Sequence, residues 1–359
     1  MSPAPDAASP APDAIAEARH GSFCPKMCSF ACPVTAATGR DDAIPWSFHR
    51  TLVELVDGAL PAGPAAAGRL TACSGCLSCR VPCEFDQDVP AQVREGRARL
   101  VEQGHPVAGG DAARSAVDEG RSPFGVARPD MASTSAASTL LIGGCRDDAD
   151  VVRAAVELLT AAGIDVGVHV PPGCCGAVLD DLGYREEAAA LRPTLEGALE
   201  GCDQVLLLDP HCHPSVAAAA DQDVRVIHLV EELDRLVEAG RLRLRSEPRS
   251  LTYHDPCLLA RGPGIIDAPR RLLAATGAEV IEPEHTGTTT FCSGAGLALE
   301  LVDPTAADAT ATQRRAQLEA AAARSVTACA GAARRLTPEE GNGTSHLIRE
   351  LADHLEERV

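Results

Sequence analysis

Four cysteines fall within eleven residues in Cys73-Ser-Gly-Cys76-Leu-Ser-Cys79-Arg-Val-Pro-Cys83, a C-x2-C-x2-C-x3-C run. Three thiolates at this spacing can wrap three irons of one cubane iron–sulfur cluster while the fourth turns away toward a neighbouring cluster. Gly75 lies inside the first spacing, where the chain must turn closely. A zinc site or a set of buried free thiols is the plainer alternative, and four thiols packed this closely suit neither.

A second group, Cys24-Pro-Lys-Met-Cys28-Ser-Phe-Ala-Cys32-Pro33, ends in the C-x3-C-P pattern of a ferredoxin-type motif, with Cys32 as the residue that crosses to the other cluster. Upstream the spacing is x3 where the motif has x2, and a fourth cysteine is absent. The alternative is a short helix starting at Pro25, with residues 24, 28 and 32 lining one face as core thiols. If both clusters form, Cys32, Cys73, Cys76 and Cys79 complete one [4Fe-4S] cluster. Cys24, Cys28 and Cys83 are then one thiolate short of a second. A three-iron cluster, a cubane with an open or non-cysteine ligand, and no cluster at all remain open there.

The elements that carry these groups are helical. Apolar residues at 48, 52, 53, 55 and 56 describe a helix with one covered face, and residues 90–104 read the same way. Residues 22–104 are therefore expected to form a mainly helical module. His49 is expected at or near its surface with no ligand role. Residues 1–20, rich in Ala, Pro and Asp, are expected to be a disordered arm, and residues 105–137, rich in Gly, Ala, Ser and Pro, a linker or loosely packed crossing segment.

Beyond residue 137 the sequence repeats. The first copy, 138–243, reads as a strand at 139–144 ending in Cys145, a helix near 149–162, a strand at 166–170 and the turn Pro172-Gly-Cys174-Cys175-Gly176. It continues with a helix near 184–199, a strand at 205–209, Cys212, and a strand at 224–229. The second copy, 249–359, has a strand at 251–254 before Asp255-Pro-Cys257, a helix near 267–275, a strand at 279–281 and Phe291-Cys292-Ser293-Gly294. A helix near 304–323 and a strand at 325–328 ending in Cys329 follow. The closing segments match as well: His228-Leu-Val-Glu-Glu-Leu against His346-Leu-Ile-Arg-Glu-Leu. Alternating strands and helices predict an α/β fold: a helical N-terminal module, then two repeated units with parallel sheets. Cysteines at strand ends and glycine turns lie where open α/β sheets gather ligands. One candidate metal set is Cys145, Cys174, Cys175 and Cys212, with Asp209, His211 and His213 as spare donors. The other is Cys257, Cys292 and Cys329, unless the second copy keeps its cysteines for packing. Cys202 reads as a buried thiol.

Together these motifs resemble the iron–sulfur oxidoreductase family with two ferredoxin-type motifs and two cysteine-rich (CCG) domains, which includes heterodisulfide reductase subunits and the iron–sulfur subunits of glycolate, lactate and glycerol-3-phosphate dehydrogenases. Cys174-Cys175-Gly176, His254-Asp-Pro-Cys257, Asp267-Ala-Pro-Arg-Arg-Leu-Leu and Phe291-Cys-Ser-Gly-Ala-Gly296 carry the resemblance, which extends over nearly all of residues 22–359. Family repeats follow a C…CCG…CxxC pattern, and in heterodisulfide reductase the full pattern holds a noncubane cluster that handles disulfide chemistry. Here Asp209 stands at the first CxxC cysteine of copy one, while Ser293 and Ala332 replace cysteines of copy two. An ordinary cluster, or zinc, in the first unit is what the remaining residues imply.

Composition narrows the partners. With 359 residues and 45% hydrophobic content there is material for two or three cores. A formal charge of −19, a pI near 5.0 and only 3% aromatics disfavour nucleic acid and anionic lipid. Fifteen cysteines without a secretory leader or an uninterrupted run of 18 apolar residues point to a reducing compartment. The expected location is cytoplasmic, free or peripheral to a membrane through a partner. There is no G-x-G-x-x-G fingerprint after a strand, so flavin or nicotinamide is expected on a separate subunit. The expected function is that of an iron–sulfur electron-transfer subunit linking a flavoprotein dehydrogenase to a quinone or other acceptor. The alternatives are a reductase acting on a disulfide or quinone at Cys174 and Cys175, and a non-catalytic metal-binding redox sensor.

Overall fold

The computed structural model describes residues 13–127, 137–338 and 343–356. Among the described residues, eight short strands form two four-stranded parallel sheets. The first contains β1 (Thr139–Ile142), β2 (Val166–His169), β3 (Gln204–Leu207) and β4 (Arg225–His228), in the order β2-β1-β3-β4. The second contains β5 (Arg249–His254), β6 (Ala278–Val280), β7 (Ser325–Thr327) and β8 (Thr344–His346), in the equivalent order β6-β5-β7-β8. The α/β class and the repeat read from the sequence are therefore both present. β8 supplies a fourth strand where the sequence suggests only the closing helix.

Strand alternation explains how one sheet serves two cores. In the first sheet Leu140, Ile142, Val205 and Leu207 face a core shared with the N-terminal helices, including Phe48, Leu70, Val93 and Leu100. Leu141 and Leu206 face the opposite way, into a core shared with Leu251, Tyr253, Leu272, Val326 and Leu347 of the second unit. The contact between units is reciprocal: the closing helix of the second copy (Leu347–Ala352) packs on the first helix of the first copy (Ala149–Ala161). The closing helix of the first copy (Leu229–Glu238) packs on the helix Asp267–Ala275 of the second. Two copies of one supersecondary plan thus bury their apolar faces against each other about a pseudo-twofold axis.

The N-terminal module is helical, as expected, with main helices Pro45–Val56 and Val89–Glu102. Pro45 and Pro90 stand in the first helical turns, where a missing N–H costs nothing, and Asp88 caps the second helix by accepting from Ala91 N–H at 2.9 Å.

Two expectations about loose segments are corrected. The arm assigned to residues 1–20 ends earlier, because Ala14–Gly21 is a helix capped by Asp13 and packed on Pro45–Val56; residues 1–12 lie outside the described residues. Its small residues are the reason: Ala18 is fully buried, and a Cβ at Gly21 would lie 2.8 Å from the His49 ring. His49 itself is buried against Gln92. Within 105–137, Gly110–Asp118 is a helix with Ala113, Ala116 and Val117 buried, and Tyr184 donates to Asp111 at 3.0 Å. Residues 128–136 of that segment lie outside the described residues. The helix expected near 184–199 is two, Arg185–Ala190 and Arg192–Leu199, broken where Pro193 lacks a donor.

Candidate iron–sulfur and thiol sites

The cysteine loop 73–79 sits at the junction of all three parts. Cys32, Cys73, Cys76 and Cys79 line one small pocket with Phe48, Pro33 and Pro45, so the crossing role of Cys32 is geometrically available. Gly75 takes a left-handed conformation (φ +62°), and its N–H donates to Cys73 Sγ at 3.4 Å. A Cβ at Gly75 would meet Leu297 Cβ at 3.0 Å, and one at Gly296 would meet the Ser74 carbonyl oxygen at 2.2 Å, so both glycines are needed for the loop to lie on the second unit. Arg261 fastens it there, donating to the Cys76 carbonyl at 2.7 Å, to Ser78 Oγ at 3.3 Å and to the carbonyls of Thr288 and Thr290.

Burial pushes the Cys73 thiol up to about 12 and raises Cys79 well above the ordinary thiol value. Sulfur atoms so placed hold charge only when cations are supplied with them, which is the requirement an iron–sulfur cubane meets. The four-thiol pocket and its N–H donor to sulfur fit such a cluster. Cys24 and Cys83 neighbour Cys28, whose thiol burial raises to about 11. Cys28 lies in the 3-10 turn Met27–Ala31, and Cys32 precedes the separate helix Pro33–Thr38, so the single helix considered for residues 24–32 is absent. Around this three-thiol group stand the exposed side chains of Phe23, Met27, Phe30, Val81 and Phe85.

In the first unit, Cys145, Cys174, Cys175 and Cys212 come together, all buried, with Cys175 Sγ 3.2 Å from Cys212 Sγ. Cys174 is held well below the ordinary thiol value because Cys145 and Cys175 both hydrogen-bond to its sulfur. The Gly176 N–H adds a donor at 3.3 Å. Copy two reproduces this local device: Gly294 N–H donates to Cys292 Sγ at 3.2 Å, and Gly176 and Gly294 both adopt positive φ. The CCG-like turns are thus the same backbone structure, although Ser293 replaces the second cysteine.

The second set does not stay together as expected. Cys292 neighbours Cys257, which is the main cause of its rise to about 12, and also Cys76 of the N-terminal loop. Cys329 instead has Asp209 and His211 of the first unit beside it, with one ligand atom from each residue within 4.8 Å of the others. The spacing within each copy could not reveal this, because the contact crosses between copies. His213 lines a cleft of about 840 Å³ that also touches Gly75, Cys175, His211, Leu258 and Leu297. His254 is occupied by Arg314, whose Nε donates to its Nδ1 at 3.0 Å, and Cys202 is half-buried near the Ala137 and Ala198 carbonyls.

Sequence reasoning missed Arg97. This fully buried side chain donates to the carbonyls of Leu70 (2.9 Å), Asp181 (2.7 Å), Leu297 (3.0 Å) and Thr71 (3.4 Å), and so ties the module to both units. Its guanidinium is lowered to about 10 by burial. An arginine on a helix whose other face is apolar carried no signal of this kind.

Residues 251–334 match the cysteine-rich domain family. The chain is 33% identical over 170 residues to an EtfAB:quinone oxidoreductase of Syntrophomonas wolfei, covering 44% of this chain and 24% of that protein. It is 27% identical over 241 residues to one component of the fumarate reductase (CoM/CoB) of Methanothermobacter marburgensis, covering 63% of this chain and 48% of that one. It is 34% identical over 98 residues to one component of the dihydromethanophenazine:CoB–CoM heterodisulfide reductase of Methanosarcina mazei, covering 24% of each. The matches therefore span half or less of these relatives' lengths. In fold, a hypothetical protein from Helicobacter pylori superimposes with a TM-score of 0.56 at 10% identity, covering 88% of this chain and 66% of that one. No helix among the described residues is long and apolar enough to cross a membrane. Residues 251–334 thus carry a cysteine-rich domain, and the chain is similar to proteins that are iron–sulfur oxidoreductase components.

Proposed function

We propose that this chain is a cytoplasmic iron–sulfur electron-transfer subunit that relays electrons between a flavoprotein dehydrogenase and a quinone or other acceptor. The observation that carries the reading is the continuity of its thiol groups. Cys24, Cys28 and Cys83 lie among exposed apolar side chains, Cys32, Cys73, Cys76 and Cys79 line the next pocket, and Cys76 touches Cys292 at the second unit. Clusters held by these residues supply reversible one-electron chemistry. The protein's own residues do the rest. Arg97 and Arg261 fix the cysteine loop against both units, the N–H groups of Gly75, Gly176 and Gly294 hydrogen-bond to sulfur, and the apolar rim at Phe23, Met27, Phe30, Val81 and Phe85 suits a docking partner.

The second reading, a reductase acting on a disulfide or quinone, is favoured by one feature: the 840 Å³ cleft opens onto Cys175 between the two units. Iron, acid-labile sulfide and EPR on anaerobically purified protein test the first reading. Roughly eight irons with two interacting reduced signals support it, and zinc without iron after reconstitution removes it. Turnover by the isolated chain with a dithiol and an acceptor would move the assignment to the second reading.

A further inference from the structure

The equivalent positions of the two repeats meet at the pseudo-twofold junction. Asp209 stands two residues after β3, and Cys329 two residues after β7. Asp209 is 1% exposed, Cys329 is 3% exposed and the His211 side chain is 9% exposed. Asp209 Oδ1 accepts from the His211 backbone N–H at 2.9 Å and from His211 Nδ1 at 2.8 Å. That arrangement puts the imidazole proton on Nδ1 and leaves a bare lone pair on Nε2. Among the described residues, both His211 Nε2 and Asp209 Oδ2 are buried without a hydrogen-bond partner. Two acceptors stripped of water and left unpaired are costly unless something positive sits between them.

We propose that Asp209, His211 and Cys329 hold one zinc ion that clips the first unit to the second. One ligand atom of each already lies within 4.8 Å of the others. Ligands of a tetrahedral zinc stand about 3.2–3.8 Å apart, so a small closure of side chains completes the trio. The donor set of one oxygen, one nitrogen and one sulfur is that of a borderline cation: a single thiolate cannot hold a cubane, and sulfur disfavours calcium and magnesium. The Asp209 carboxylate and Cys329 thiolate neutralise Zn²⁺, with the thiol proton released to solvent; around the trio Arg146 lies 3.8 Å from Glu300, which Arg334 pairs at 2.6 Å, and the Asp147 carboxyl is raised by burial. The trio borders the four thiols of the first unit, with Asp209 beside Cys212, but takes none of them as a ligand and does not depend on the electron-transfer reading.

The test uses the full chain with its iron retained, exposed anaerobically to one equivalent of Zn²⁺ and desalted. One zinc per chain is expected, with a zinc-edge EXAFS shell of one sulfur at about 2.3 Å and two or three N/O atoms at about 2.0 Å. Asp209→Asn and His211→Gln should each lower retained zinc about tenfold or more with iron content unchanged. No retained zinc, a shell of three or four sulfurs, or unchanged zinc in both variants overturns the proposal. Iron content reports whether each variant has folded, and the wild-type EXAFS shell decides the coordination even if one does not.

Discussion

The Arg97 guanidinium donates to the Leu297 carbonyl at 3.0 Å, joining a helix of the N-terminal module to the loop of the second unit on which the Cys73–Cys79 segment rests. The same side chain holds the carbonyls of Leu70 and Asp181. Replacing it by alanine takes this donor from the carbonyls of Leu70, Asp181 and Leu297, while the Thr71 carbonyl keeps the Cys73 N–H. Arg97→Ala is expected to cost about 3–5 kcal/mol in urea unfolding, and Arg97→Lys, which cannot fork, about 2 kcal/mol or more. A loss below about 1 kcal/mol for alanine would mean that the three-way junction does not depend on this contact.

Two glycines to alanine should move stability in opposite directions. Gly183 has φ +93°, and a Cβ there would stand 2.5 Å from the Arg97 carbonyl carbon, so Gly183→Ala should destabilise by about 2–4 kcal/mol. Gly197 lies in the helix Arg192–Leu199 with nothing within 4 Å of the added Cβ, and Gly197→Ala should stabilise by up to about 1 kcal/mol. Thermal melts of the pair separate the two effects.

The two N-terminal thiol groups should lose iron independently. Cys79→Ser is expected to remove about four irons per chain, whereas Cys28→Ser should leave those four in place and alter only the remainder. Colorimetric iron with EPR of the reduced protein reads both. Equal losses from the two variants would show that the seven cysteines form one interdependent unit.

Acid should weaken the fold through two equivalent histidines. His228 Nε2 donates to the Leu208 carbonyl at 3.1 Å while its Nδ1 accepts from Val230 N–H, so a second proton breaks a helix cap. Burial lowers His228 to about 4, and burial followed by the nearby His228 lowers His346 to about 3. The unfolded chain, near 6.5, binds protons that the native state refuses. Stability is therefore whole above about pH 6.5 and falls as pH drops toward the folded values, by at most about 4 kcal/mol for the pair at pH 5. Urea unfolding at pH 7 and pH 5 should show this slope, and His228→Gln should reduce it by about half.

The legible parts of this protein are those that short spacing decides. Cys73, Cys76 and Cys79 lie close enough in sequence that their loop can present thiols only to a shared centre, and β1 and β3 alternate apolar side chains because both faces of their sheet are covered. The match of His228 with His346 is equally local: each caps the helix that follows it through Nδ1. The helix Ala14–Gly21 was not legible, because its burial depends on alanine and glycine fitting against His49 and not on large apolar residues.

By itself the sequence determined the cysteine groups, the repeat and the parallel α/β plan, since each follows from side-chain chemistry and periodicity within a few residues or between matched segments. Only the tertiary structure decided that Arg97 would join all three parts, that Cys292 would reach Cys76, and that Cys329 would meet Asp209 and His211 in place of joining Cys257. The reason is that these contacts form across the pseudo-twofold packing of two cores, where partners are chosen by how whole sheets bury their apolar faces and not by the spacing of residues along the chain.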